Sequence, residues 1–227
     1  MKVGVVLPTF AWTPEEAWTV ARSAAEHGVD GVFAYDHLWP MGNRRRPALA
    51  PFPILAAVAR SFPSLCVGTL VARIGMVSDD VLIAQFRALA AVAPGRVIAA
   101  IGTGDKLSAQ ENLAYGIGFD PAEVRRTSLR SVMATLLDDG LEGWIGGGAQ
   151  PTLELAEDLR CAVNMWGATP EQVAVQAQAT EVTWAGLPSP PGEATAIESL
   201  RGQRSALEGA GASWAVFGWP VDLAGLG

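Results

Sequence analysis

Two cysteines and two histidines are all that this 227-residue chain offers a disulfide framework or a soft metal. Cys66 and Cys161 stand in no metal-binding or redox spacing and read as reduced structural thiols. No group of His, Cys, Asp and Glu has ligand spacing, so no metal site is expected. Charge is scarce as well: 17% of the residues are charged and the net charge is −7. That balance excludes the basic face a nucleic-acid binder needs. The phosphate signatures GxGxxG and GxxxxGK(S/T) are absent, which argues against a Rossmann or P-loop nucleotide site. GxSxG is absent too, which removes the nucleophile elbow. No stretch reaches the roughly 18 apolar residues of a membrane helix, and the apolar run in MKVGVVLPTF is too short for a secretory signal. The expectation is a cytoplasmic protein with a small-molecule substrate, no nucleic acid and no membrane.

What the chain has instead is rhythm. Half of it is apolar, enough for a substantial core, and the apolar residues fall in short runs separated by helical patterns. The runs are Val3–Leu7, Gly31–Tyr35, Leu65–Val71, Val97–Ile101, Trp144-Ile145, Ala162–Trp166, Val182–Leu187 and Trp214–Phe217. Helices are expected from Thr13-Pro14-Glu15-Glu16 to His27-Gly28, over Pro53–Ser61, from Ser78 through Ala93, from about Pro121 to Leu137, over Thr152–Leu159, from Thr169-Pro170-Glu171-Gln172, and over Glu193–Gly209. Strands alternating with helices imply a parallel sheet with right-handed crossovers. Eight such units point to an α/β fold, a compact (β/α)8 TIM barrel over residues 1–227 as a single domain. An open doubly wound sheet is the alternative. Only Val221–Gly227 follows the last run, so the last helix is expected to be missing or vestigial.

In such a barrel the carboxyl ends of the strands converge on one face, where ligands bind. They bring together Thr9 and Phe10, Asp36 and His37, Thr69 to Val71, Gly102 to Asp105, Gly146 to Gly148, and Asn164 with Trp166. His37 can exchange a proton near neutral pH; it also reads as a local structural histidine. His27 reads as a cation at a helix C-terminus. Gly102-Thr103-Gly104-Asp105 would let a flat ligand approach the backbone, with Asp105 either a second acid/base or the cap of an ordinary turn. Gly146-Gly147-Gly148 before a helix offers backbone amides to a phosphate. Arg44-Arg45-Arg46 reads as a solvated loop or as a lure for an anionic ligand tail. Trp39 and Trp166 are expected near the site.

Four segments carry a resemblance: VGVVLP, AAEHGVDGVFAYDHL, Val67–Asp105, and Gly146-Gly147-Gly148 with the later VNMWGATPEQ. Together they resemble the luciferase-like flavin- and deazaflavin-dependent oxidoreductases and monooxygenases, and most of all the branch that uses coenzyme F420. The resemblance implies an F420-dependent (alternatively FMN-dependent) oxidoreductase and a homodimer, the alternative being a non-catalytic or degenerate coenzyme-binding barrel. It implies that His37 and Asp105 handle protons, and that Asp36, Thr69, Leu70, Val71, Gly102, Thr103, Gly104, Ser108, Gly146, Gly147 and Gly148 hold the coenzyme. Phe10, Trp39 and Trp166 would shape the substrate side. A bulge at Leu70–Val71, often a non-proline cis peptide, would press on the back of the ring. Asp105 and Ser108 stand where that branch has Glu and Asn, and Glu154 where many relatives carry a basic residue.

Overall fold

The computed structural model describes residues 1–40, 43–188 and 197–226. In chain order it forms β1 (Lys2–Val6), α1 (Glu15–Glu26), β2 (Gly31–Ala34), α2 (Pro51–Ser61), β3 (Cys66–Thr69), β4 (Ala72–Arg73), α3 (Asp79–Val92), β5 (Val97–Gly102), α4 (Lys106–Ala114), α5 (Ala122–Asp138), β6 (Glu142–Gly146), α6 (Gln150–Leu159), β7 (Ala162–Trp166), α7 (Pro170–Gln176), β8 (Val182–Gly186), α8 (Ile197–Gly209) and β9 (Ala212–Phe217). The strands run in the order β3-β2-β1-β9-β8-β7-β6-β5, and β3 pairs with β5, which closes the sheet. Every pairing is parallel, β1 with β9 in the register Gly4↔Val216. The fold is a (β/α)8 barrel, as the alternation of runs predicts.

Each apolar run supplies two cores, because successive strand residues face opposite ways. Val5, Val32, Ala99, Ile101 and Ile145 point outward and pack beneath the helices. Val6, Phe33, Ile98, Ala100, Trp144 and Trp214 point inward and fill the barrel. Phe33 stacks on Trp144 with ring centroids 5.2 Å apart. Trp214 meets both rings edge-on, at 5.7 and 5.6 Å. The barrel interior is therefore solid, and any ligand must sit at its mouth.

The expected run Leu65–Val71 is not one strand. It breaks after Thr69 at a cis Leu70–Val71 peptide and resumes as β4, with Ala72 opposite Ile101 and Arg73 opposite Gly102. α4 was not expected; Asp105 starts it, its side chain accepting the Ser108 N–H while the Ser108 hydroxyl accepts the Asp105 N–H. α2 begins two residues earlier than expected, at Pro51. The expected helix start at Glu193 lies outside the described residues; the helix is present from Ile197. After β9 the described residues hold one 3₁₀ turn, Leu223–Gly225, rather than a helix.

The three interlocked rings set the first expectation. Phe33→Ala empties a fully buried site and should lower stability by about 3–5 kcal/mol, measured by urea unfolding.

Candidate active site

The strand ends meet around an open cavity of about 580 Å³. Phe10, Asp36, His37, Leu70, Val71, Gly102 to Asp105, Ser108, Gly146 to Gly148, Asn164 and Trp166 all line it. Thr9, named among the converging strand ends, is buried and does not line it, and neither do two of the residues expected to hold coenzyme or substrate. Thr69 is fully buried and spends its hydroxyl on the Ala100 carbonyl at 2.6 Å. Trp39 is turned away. It stacks on Tyr115 with centroids 5.1 Å apart and lies under the Arg44 guanidinium at 5.5 Å. It lines an adjoining depression of about 360 Å³ with Arg45 and Glu111, and this depression shares His37 with the main site. The loop around Arg44 and Arg45 is exposed.

Val71 forms part of the cavity wall and owes its place to two glycines. A Cβ on Gly102 would stand 2.7 Å from Val71 Cγ2, and one on Gly146 would stand 2.9 Å from Cγ1. The sequence suggested room for a flat ligand at Gly102 and phosphate-binding amides at Gly146. In the structure the protein's own valine uses the room. Gly148 differs: nothing lies within 4 Å of where its Cβ would be. The opposite side is aromatic. Phe10 stacks on Tyr35 at 5.5 Å, and Tyr35 meets Trp166 and His37 edge-on at 6.0 and 6.2 Å. Burial pushes the Tyr35 hydroxyl up to about 12, so it stays protonated at neutral pH.

The polar side of the cavity is a chain of four charged or titratable groups. Asp36, at the end of β2, accepts the backbone N–H of Arg73 at 2.9 Å. Burial pushes its carboxyl above the ordinary value, against the pull of that hydrogen bond and of the Arg73 charge. Arg73 Nη1 lies 3.0 Å from Glu111 Oε2. Glu111, on α4, also receives the His37 ring at Nδ1, 2.9 Å away, and the Leu38 N–H. Burial works to raise the Glu111 carboxyl, yet those hydrogen bonds and the Arg73 charge leave it below the ordinary value. Asp105 faces its own helix: Oδ1 accepts from the N–H groups of Leu107 and Ser108, each at 2.9 Å, and from the Ser108 hydroxyl at 3.0 Å. A burial penalty on Asp105 is outweighed by these bonds, and its carboxyl is held down.

The third side is the start of α6. Gly148, Ala149 and Thr152 reach the cavity, and no side chain caps the helix. Gly147 donates its N–H to the Asn164 carbonyl at 3.1 Å. Glu154 is exposed and accepts from Gln150 at 3.0 Å. Arg73, Glu111 and Tyr35 are the site residues that sequence reading left out. A lone arginine inside the apolar stretch VARIGMV was a signal for the first. The Asp-x-x-Ser start at Asp105 was a signal for the helix that carries the second.

No family model matches the chain. Over 96 residues it is 36% identical to an F420-dependent glucose-6-phosphate dehydrogenase of Nakamurella multipartita, covering 42% of this chain and 28% of that protein. Over 109 residues it is 34% identical to an F420-dependent hydroxymycolic acid dehydrogenase of Mycobacterium tuberculosis, covering 48% and 30%. The matches thus span less than a third of these curated relatives. An F420-dependent secondary alcohol dehydrogenase, solved with an F420–acetone adduct, superposes with a TM-score of 0.80 at 15% identity, over 99% of this chain and 96% of that one. The F420-dependent tetrahydromethanopterin reductase of Methanopyrus kandleri superposes with 0.75 at 12% identity, over 99% and 95%. The fold is that of these two solved barrels.

Two measurements check the geometry of this barrel mouth. Gly146→Ala drives a methyl into Val71 and should lower stability by about 1–3 kcal/mol, whereas Gly148→Ala should change it by less than about 0.5 kcal/mol. Asp36 gives a pH signature. Its folded carboxyl binds the proton more tightly than the unfolded one, so the stability it brings is present at acid pH and lost as pH rises. Asp36→Asn should therefore gain stability relative to the parent as pH is raised from about 3 to neutrality, read from urea midpoints; a difference that stays flat would show that Asp36 ionises normally.

Proposed function

We propose that the chain is an oxidoreductase that binds coenzyme F420 in this cavity and moves a hydride to or from a small organic substrate. The observation that carries the reading is the union, in one cavity, of a valine-backed apolar wall, an imidazole tied to a carboxylate, and an uncapped helix start. The two sequence relatives described above are F420-dependent dehydrogenases, which supports the choice of coenzyme.

The residues present fit such a group. A cavity of about 580 Å³ lies within the roughly 300–1,000 Å³ range of cofactor sites. Val71, with Leu70 and the backbone of Gly102 to Gly104, offers an apolar surface to a flat ring. Gly148 and the amides that open α6 suit a phosphate, with Gly146 and Gly147 shaping the approach, Asp36, Thr103 and Ser108 at the polar edge and Thr69 as buried support. When bound, the deazaflavin supplies the carbon that accepts or gives up the hydride. The protein positions it and narrows access for water. His37 takes or returns the substrate proton, and Asp105 adds negative charge nearby while holding the start of α4. Phe10 and Trp166 border the substrate space, and Trp39 borders it through the adjoining depression. The proposed setting is the cytoplasm, on composition, and the proposed assembly a homodimer, on the resemblance.

The test is titration of the purified protein with F420 and, separately, with FMN, followed by fluorescence quenching. F420 should bind with a Kd of about 10 μM or tighter. His37→Ala should keep that binding and lose about 10²–10⁴-fold in turnover of an alcohol or carbonyl panel. Binding of FMN alone would change the coenzyme, and binding of neither would end the proposal.

A further inference from the structure

We propose that Glu111 is a positioning residue that decides which nitrogen of His37 carries the proton. The sequence reading paired His37 with Asp105; the structure pairs it with a carboxylate 74 residues away on an unexpected helix. Glu111 is only 4% exposed. One of its oxygens takes the Leu38 N–H, and the other lies 2.9 Å from His37 Nδ1 and 3.0 Å from Arg73 Nη1. Arg73, itself 5% exposed, keeps the carboxylate ionised in a place where burial alone would favour the acid.

An ionised carboxylate only accepts hydrogen bonds. The proton between Glu111 and His37 therefore resides on Nδ1. In the neutral ring Nε2 is then a bare lone pair, the opposite of the tautomer a solvated histidine favours. Among the described residues no protein group bonds Nε2, and His37 lines the cavity. Asp105 makes no hydrogen bond to the ring, being committed to Leu107 and Ser108. The other charged groups around His37 are Asp36 on its own segment and Arg44 and Arg45 across the adjoining depression. None of them contacts Nδ1. The catalytic use of this arrangement rests on the function proposed above: Nε2 is the atom that takes the proton of a substrate hydroxyl, or returns it to a carbonyl oxygen. The tautomer itself does not depend on that reading.

The experiment is ¹⁵N NMR of the imidazole in the coenzyme-free protein. A His27→Gln background leaves His37 as the sole histidine. At about pH 9, where an ordinary imidazole is neutral, Nδ1 should show the shift of a protonated nitrogen and Nε2 that of a bare one. Glu111→Gln should preserve this pattern, since the amide oxygen still accepts. Glu111→Ala should move the proton to Nε2. A proton on Nε2 in the parent would overturn the proposal, as would a folded Glu111→Ala protein that keeps the parent pattern. Should Glu111→Ala fail to fold, the parent spectrum alone still decides. A protein with the expected tautomer that binds neither F420 nor FMN would leave the dyad standing and remove only its catalytic use.

Discussion

Arg73 lies buried between two carboxylates, bonding Asp36 through its backbone and facing Glu111 with its guanidinium. Three pieces of chain meet there: the end of β2, the short strand β4, and helix α4. A buried guanidinium without partners is very unfavourable, and so is a buried carboxylate. Each makes the other tolerable, so removing one strands the rest. The effects on the two acids differ. Asp36 is pushed towards its neutral form by burial, whereas Glu111, bonded to His37 and the Leu38 N–H and facing the Arg73 charge, is held ionised. His37 inherits its geometry from this contrast. Its place depends on Glu111, and that of Glu111 on Arg73.

The cavity wall follows the same logic of parts placed by other parts. Val71 stands where it does because Gly102 and Gly146 have no side chains to displace it. Behind it the barrel is filled by Phe33, Trp144 and Trp214, so the mouth has a firm base. The aromatic side, Phe10 with Tyr35 and Trp166, is less buried, Trp166 being 52% exposed. A rigid apolar back, a fixed imidazole and an open aromatic side suit a site where a flat group stays and a smaller one comes and goes.

Much of the barrel was legible in the sequence, because strands buried on both faces read as unbroken apolar runs. The helix start at Thr169 was legible for a local reason, since Thr169 and Gln172 cap each other. Asp36, His37 and the glycines were legible as strand ends. The rest was hidden by distance along the chain. Nothing near His37 announces Glu111, and Arg73 looks like an anomaly in an apolar stretch until its partner is known. α4 was missed because Gly-Thr-Gly-Asp reads equally well as a turn. Trp39 was assigned to the main cavity because it lies two residues from His37 in sequence, yet its ring packs on Tyr115.

The measurement that bears most directly on this account is a double-mutant cycle on Arg73 and Glu111, with stability read from urea unfolding. Arg73→Met and Glu111→Gln should each destabilise by about 3–5 kcal/mol, and the double variant should lose clearly less than their sum, a coupling above about 1 kcal/mol. Additivity within about 0.5 kcal/mol would contradict the claim that these two charges depend on each other to hold the barrel mouth.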